Sequence, residues 1–251
     1  MKRLEVIALE GVGEVAQGDS VGNLVCDACA RLGLQLASAD IVVVAHKIVS
    51  KSEGRIVDLD TVAPSARALH IASDLDKDPR LTELILRESR RVVRTGGKTI
   101  IVETHHGFIC ANAGVDLSNA GSGRAILLPE NPDRSAAKIR DEIESRTGAA
   151  PAVIVSDSFG RPWRLGTTDV ALGVAGLNPL KDYRGDTDRY GYELRASMAA
   201  IADEIASAAE LVMGKKDGIP VVLVRGYLID SRKGSAQELL RPEADDLFRK
   251  S

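Results

Sequence analysis

Four short runs of β-branched and aliphatic residues restrict this chain more than anything else in it: Ile41 to Ala45 (IVVVA), Thr99 to Val102 (TIIV), Val153 to Val155 (VIV) and Val221 to Val224 (VVLV). A run that is apolar at consecutive positions reads as a strand covered on both faces. Each run then breaks into residues that cannot continue it: His46-Lys47, Glu103-Thr104-His105-His106, Ser156-Asp157-Ser158 and Arg225-Gly226. Helical patterns lie between several of the runs, so the chain is expected to be an α/β or α+β protein. The strand ends nominate one pocket if the sheet gathers them on one side.

The rest of the chain supplies the helices and turns. The start, MKRLEVIALEGVGEV, reads as a first strand, after which Gly11-Val12-Gly13 makes a turn. Asp19 or Ser20 caps a helix reaching about Leu32, with Gly33 as its stop. From Thr61 to Lys77 the pattern is mixed, and His70 reads as a surface residue. Asp78-Pro79 opens a helix whose largely apolar face uses Leu81, Leu84, Ile85, Glu88 and Val92 and whose basic end is Arg87, Arg90, Arg91 and Arg94. Asn131 and Pro132 start a helix running to about Thr147. Gly160, Pro162 and Gly166 argue against a regular element through Arg161 and Arg164, and Asp182 to Leu194 reads as a polar connector, a solvated loop or a substrate-facing one. A long helix is expected from about Tyr192 to Val212, with Leu194, Met198, Ile201, Ile205 and Val212 as its buried stripe. A short helical pattern at Ala236 to Leu240 precedes a charged end.

With 251 residues, 44% of them hydrophobic, the chain can bury a core as one large domain or two lobes without a clear linker. Its 36 acidic and 33 basic residues leave no electrostatic footprint for nucleic acid or an anionic membrane. The N-terminus lacks a secretory pattern and no apolar stretch is long enough for a membrane helix, so a cytoplasmic protein is expected. Cys26 and Cys29 fall in a helical pattern with no second pair to complete a metal cage, and with lone Cys110 they read as small apolar residues. Neither GxxxxGK[ST] nor GxGxxG is present, so no nucleotide follows from a short motif.

Chemistry-bearing residues concentrate at two stretches, Ile101 to Asn119 and Val153 to Asp169. Asp157 between two hydroxyls at a strand end suits a hard cation, which prefers oxygen ligands; Asp116, in an asparagine-rich loop with Asn112 and Asn119, offers a second carboxylate. On its own that loop reads as turn chemistry. Lys47 and Lys51 suit phosphate oxygens if they face inward and are ordinary solvated lysines if they do not. Adjacent His105 and His106 would face opposite sides of a strand, so at most one lines a site.

Six ordered blocks are more specific than any of these signals: HKIVSKSEGRIV, GFICANAGVDLSNA, LLPENPDRSA, VIVSDSFGRPWRLGTTDVALGVAG, DYRGDTDRYGYEL and ELVMGKKDGIPVVLVRG. Together they closely resemble the coenzyme F420-0:L-glutamate ligase (F420:gamma-glutamyl ligase) family, in its stand-alone form, over about Leu4 to Asp230. The resemblance implies a two-lobed α+β fold with mixed, intertwined β-sheets and flanking helices, assembled as a homodimer. It implies a GTP-dependent ligase that joins L-glutamate to the carboxylate of coenzyme F420-0, then a second glutamate through a γ-linkage. Two divalent ions, manganese or magnesium, are implied, with potassium as a stimulant.

Carried over residue by residue, the resemblance makes Asp116 and Asp157 ligands of one metal and gives Ser158 to a second. Gly11, Val12, Gly13, Glu14, His46, Lys47, Lys51, Asn119 and the loop Met213, Gly214, Lys215, Lys216, Asp217, Gly218, Ile219 and Pro220 align with GTP-contacting positions. One departure stands out. Lys215 falls where a residue able to support the second metal is implied, and a protonated lysine has no lone pair to give; either Asp217 or a backbone carbonyl substitutes, or the second metal is held differently. Two other readings use the same residues: a metal-dependent phosphatase or nucleotidase with water as acceptor, and a non-catalytic F420-binding module. Three phenylalanines and one tryptophan argue weakly against a broad stacking surface for the latter.

Overall fold

The computed structural model describes residues 3–247, and the last four residues of the charged end, 248–251, lie outside the described residues. Three of the four apolar runs become neighbours in one sheet. It contains β1 (Glu5–Ala8), β2 (Ile41–Ala45), β8 (Ala152–Arg161), β9 (Arg164–Ala175) and β12 (Val221–Arg225), in the order β1-β12-β2-β8-β9. Only β2 and β8 run parallel; the other pairs are antiparallel, so the sheet is mixed and the fold is α+β.

The absence of alternation in these runs is explained by cover on both faces. Val42, Val44, Val153, Val155, Val221 and Leu223 pack with α1 (Val21–Arg31), α2 (His46–Ser52) and α5 (Pro132–Thr147). Ile41, Val43, Ile154, Val222 and Val224 face the other way, against α6 (Ile201–Met213). Successive side chains of a strand point to opposite faces, so each run feeds two cores. Fully buried Ile154 contributes on the scale of any large aliphatic, and Ile154→Ala would cost about 2–5 kcal/mol.

The fourth run belongs elsewhere. β5 (Thr99–Thr104) lies between β4 (Ser89–Gly96) and β6 (Ile109–Ala111) in a three-stranded sheet backed by α3 (Ala66–Leu75) and α4 (Pro79–Arg87). A short pair, β3 (Ile56–Asp58) with β7 (Arg124–Ile126), joins this region to the main sheet, and a two-residue pair, β10 (Lys181–Asp182) with β11 (Met198–Ala199), closes the polar connector.

Several local expectations change. α4 stops at Arg87, so Arg90, Arg91 and Arg94 lie on β4, where Arg90 and Arg91 both grip buried Glu103. The two-valine run Val92-Val93 favours a strand over a helix there. Residues 152–175 form a long hairpin in spite of Gly160, Pro162 and Gly166, because the proline sits in the turn, where no ladder hydrogen bond is needed. The last helix starts at Ile201 and not near Tyr192; Leu194 precedes it and Met198 is 45% exposed on β11, so neither is part of the stripe. The mixed segment before Lys77 contains α3, with His70 on its exposed side. The expected helices at Val21–Arg31 and Pro132–Thr147 are present, capped by Ser20 and Asn131.

Topology decides which strand ends meet. The C-terminal ends of β1, β2 and the central part of β8 lie beside the start of β12, as the pairs Ala8 with Val222, Val221 with Val44 and Ala45 with Ser156 show. The Arg225-Gly226 end of β12 is therefore at the opposite edge, and what β12 brings to the shared end is the 213–220 loop preceding it.

Candidate functional site

The shared end of the main sheet gathers the loop after β1, helix α2, the middle of β8 and the loop before β12. His46 and Lys47 do not form a loop, as their polarity suggests, but the first turn of α2, which starts directly from β2. Helical spacing then sorts the side chains. His46 and Ser50 turn inward, both buried, with Nδ1 of His46 3.4 Å from Ser50 Oγ. Lys47 and Lys51, also four apart, reach separate loops. Lys47 Nζ lies 2.6 Å from Asp116 Oδ2 and donates to Ser118 Oγ at 2.6 Å. Lys51, 7% exposed, pairs with Glu14 of the loop after β1.

Asp116 is held by its own loop as well. Its backbone bridges Ile126, and its carboxylate accepts from Ser118 N at 2.7 Å and Ser118 Oγ at 3.0 Å. Burial pushes its pKa upward, but the Lys47 ammonium and the Ser118 donors together hold the carboxyl below the ordinary value. Asn119, exposed, follows with its backbone in the left-handed region at φ 59°.

Asp157, on β8, faces the other residue of the α2 start. Oδ1 lies 3.4 Å from His46 Nε2, and that buried nitrogen has no hydrogen-bond partner. Consecutive residues of α2 thus touch Asp157 and Asp116, which places the two carboxylates on either side of one helix start. Cys110 of β6 is near enough to feel Asp157: burial first, then that negative charge, pushes its thiol up to about 12. It stays a protonated, inert thiol. Cys26 and Cys29 are likewise buried and free, with the Cys29 thiol raised to about 11 by burial.

Ser158 looks across the hairpin to Asp169, its register partner. Asp169 is buried and accepts from Ser156 Oγ at 2.9 Å and Ser158 Oγ at 2.6 Å. Lys215, from the 213–220 loop, donates to Ser158 Oγ and lies 2.7 Å from Glu210 Oε1 and 3.9 Å from Asp169 Oδ1. In the same loop the carboxylate of Asp217 sits against the backbone of Gly214, at φ 58°. Asp169 is not among the residues the sequence singles out; its one signal is a carboxylate inside a strand pattern, in TTDVALGV.

His105 and His106 lie in the turn after β5, where their rings serve the backbone: Nε2 of His105 lies 2.8 Å from the Arg87 carbonyl and Nε2 of His106 2.9 Å from that of Pro129. The structure thus brings Glu14, His46, Lys47, Lys51, Asp116, Asp157, Ser158 and Lys215 to one end of the sheet. No group of three or more His, Cys, Asp or Glu side chains able to hold a metal occurs among the described residues. Asp116 and Asp157 nevertheless provide the one or two carboxylates with which magnesium-like ions are commonly held when phosphate oxygens and water complete the shell.

The F420-0:gamma-glutamyl ligase family model matches residues 11–226. The chain is similar to the coenzyme F420:L-glutamate ligase of Methanothermobacter thermautotrophicus, at 46% identity over 249 residues, covering 98% of this chain and 99% of that one. It is 42% identical over 252 residues to the protein of the same name from Methanopyrus kandleri, covering 98% and 97%. The Methanocaldococcus jannaschii protein of that name is 47% identical over 215 residues, 85% of this chain and 86% of its own.

Proposed function

This chain belongs to the F420-0:gamma-glutamyl ligase family, and from that premise we propose that it ligates L-glutamate to the carboxylate of coenzyme F420-0 at the expense of GTP. The observation that carries the proposal is the pairing at the start of α2, where Lys47 meets Asp116 and His46 meets Asp157. Cationic and acidic groups are interleaved there, as phosphoryl transfer requires.

A carboxylate and an amine do not condense at useful rates near neutral pH. In the proposed route an F420-0 carboxylate oxygen attacks the γ-phosphorus, the bond to the β-phosphate oxygen breaks, and GDP leaves with that electron pair. The amine of glutamate attacks the acyl carbon, the carbon–oxygen bond to phosphate breaks, phosphate departs, and the surplus amine proton goes to solvent. A second glutamate can join through the γ-carboxylate of the first by the same steps.

Residues of this chain have separate tasks in that route. Lys47 and Lys51 hold phosphate oxygens as compact positive charges. Gly11 to Glu14, Asn119 and the 213–220 loop frame the nucleotide. Asp116 and Asp157 would hold a manganese or magnesium ion, a Lewis acid that withdraws charge from the phosphoryl oxygens. The partnerless His46 Nε2 beside Asp157 fits this assignment, because a carboxylate drawn onto a cation can be steadied by a neighbouring imidazole. Ser158 does not fit a second ion, since its hydroxyl is already committed to Asp169 and Lys215. A homodimer belongs to the same proposal, and Trp163 and Leu165, 81% and 98% exposed at the hairpin tip, give it apolar surface to cover.

Mass spectrometry of F420-0 after incubation with GTP, Mn²⁺ and glutamate, with and without potassium, tests the reaction. A ladder of glutamate additions is expected. Phosphate released without glutamate, with F420-0 unchanged, would replace the proposal by a phosphatase; tight F420 binding without turnover would replace it by a carrier.

A further inference from the structure

We propose that the ammonium group of Lys215 is a built-in cation at the end of β8, standing where a second divalent ion would otherwise lie, so that this chain works with a single divalent ion per site. The inference rests on the ligase reading for the nucleotide that accompanies that ion.

Three elements converge on Lys215 Nζ: Ser158 Oγ of β8, Asp169 Oδ1 of β9 at 3.9 Å, and Glu210 Oε1 of α6 at 2.7 Å. Two carboxylates and a hydroxyl around one positive charge is the donor arrangement a hard cation would seek. Here the protein fills it itself. The bonding of Ser158 is specific on this point. A serine hydroxyl has one proton to donate and two lone pairs to offer; the proton goes to Asp169 at 2.6 Å, and Lys215 takes a lone pair. Asp169 is committed in turn, since its other oxygen accepts from Ser156 at 2.9 Å and the carboxylate is buried. Its strand is tied to α6 by Ser207 Oγ donating to the Asp169 carbonyl at 2.8 Å.

The Lys47 ammonium is placed differently. Its contacts, Asp116 and Ser118, belong to one short loop, and an ion between Asp116 and Asp157 would gain two carboxylates on displacing it. A second ion at Ser158 would have to expel a lysine already balanced by Glu210 and Asp169, and the hydroxyl and carboxylate it then met are already bonded to each other, Ser158 to Asp169. The two lysines thus divide the site: Lys47 yields its carboxylate to the ion and turns to phosphate, and Lys215 stays. Lys215 is in these terms a positioning residue, keeping the Ser158 hydroxyl and the 213–220 loop in register with β8.

Counting Mn²⁺ by electron paramagnetic resonance, on the full chain saturated with a non-hydrolysable GTP analogue and freed of unbound analogue and its ion by gel filtration, tests the inference. One Mn²⁺ per chain is expected in the wild type and in Lys215→Arg, and two in Lys215→Gln, which replaces the charge by a neutral side chain with an oxygen donor. Two in the wild type, or one in Lys215→Gln, would overturn it. Because the count needs no glutamate transfer, the two levels separate: a single Mn²⁺ that becomes two in Lys215→Gln, with no ligation, sinks the ligase reading alone, whereas intact ligation with two ions in the wild type sinks this inference alone.

Discussion

The two ends of the main sheet carry the same kinds of charge and hold them differently. At the end away from the site, Arg225 grips buried Asp40 with Nε at 2.9 Å and a second nitrogen at 3.1 Å, while the same guanidinium donates to the Gln35 carbonyl. At the site end the partners are lysines: Lys47 on Asp116, Lys51 on Glu14, Lys215 on Ser158 and Glu210. A guanidinium fork fixes geometry through several bonds at once, whereas an ammonium is a compact charge on a flexible stem that can change partners. One end is built to stay closed. Under the proposed function the other end shares the charges of Lys47 and Lys51 with an arriving phosphate, while Lys215 keeps its place.

Substitutions can break this contrast, beginning with the largest effect. Asp157→Asn or Asp116→Asn should lower kcat/KM for ligation on the order of 10²–10³-fold, with thermal melting by circular dichroism close to wild type. Activity within a few-fold of wild type in both would remove the carboxylates from the chemistry. Asp40→Asn should do the reverse. It leaves Arg225 without its charged partner at a largely buried place, which costs about 3 kcal/mol, read as a lower urea midpoint, while kcat stays unchanged. A loss of kcat with an unshifted midpoint would show that the far end is not merely structural.

Smaller effects sharpen the same contrast. Lys47→Met should raise KM for GTP about 10-fold, equivalent to about 1.4 kcal/mol, with a smaller effect on stability because the pair is partly exposed. The smallest expected effect is a titration. Asp116 has a depressed pKa, so its pairing stabilises the fold above the ordinary carboxylate range and that contribution is lost as pH falls through the folded value. In Lys47→Met the Asp116 carboxyl should titrate at higher pH than in the wild type, as followed by carbon NMR; an unchanged midpoint would mean that Ser118 and not the lysine holds the charge.

Much of the core was legible because it depends on local pattern. The runs at 41–45, 153–155 and 221–224 are β-branched without interruption, and only a strand covered on both faces uses such a run. Helices beginning at capped positions, Ser20, Asp78 and Asn131, were readable for the same reason. What failed was decided by tertiary context. Gly160 and Gly166 look like breakers until β8 and β9 pair across them, and Arg90 and Arg91 read as a helix end until Glu103 is found beneath them. The direction of β12 could not be read from its composition, so Arg225 was grouped with a site that it lies opposite. Asp169 was hidden because its partners, Ser156 and Ser158, meet it only across the hairpin. Lys215 is legible as a departure, but its three oxygen partners come from three elements that sequence alone does not bring together.

If the lysine-held end of the sheet activates the F420-0 carboxylate by phosphoryl transfer, as proposed, an oxygen of that carboxylate must leave with the phosphate. With ¹⁸O in that carboxylate, wild-type turnover with GTP and unlabelled glutamate should deliver one labelled oxygen to the released phosphate for each first amide bond formed. Amide formation accompanied by unlabelled phosphate would contradict the claim.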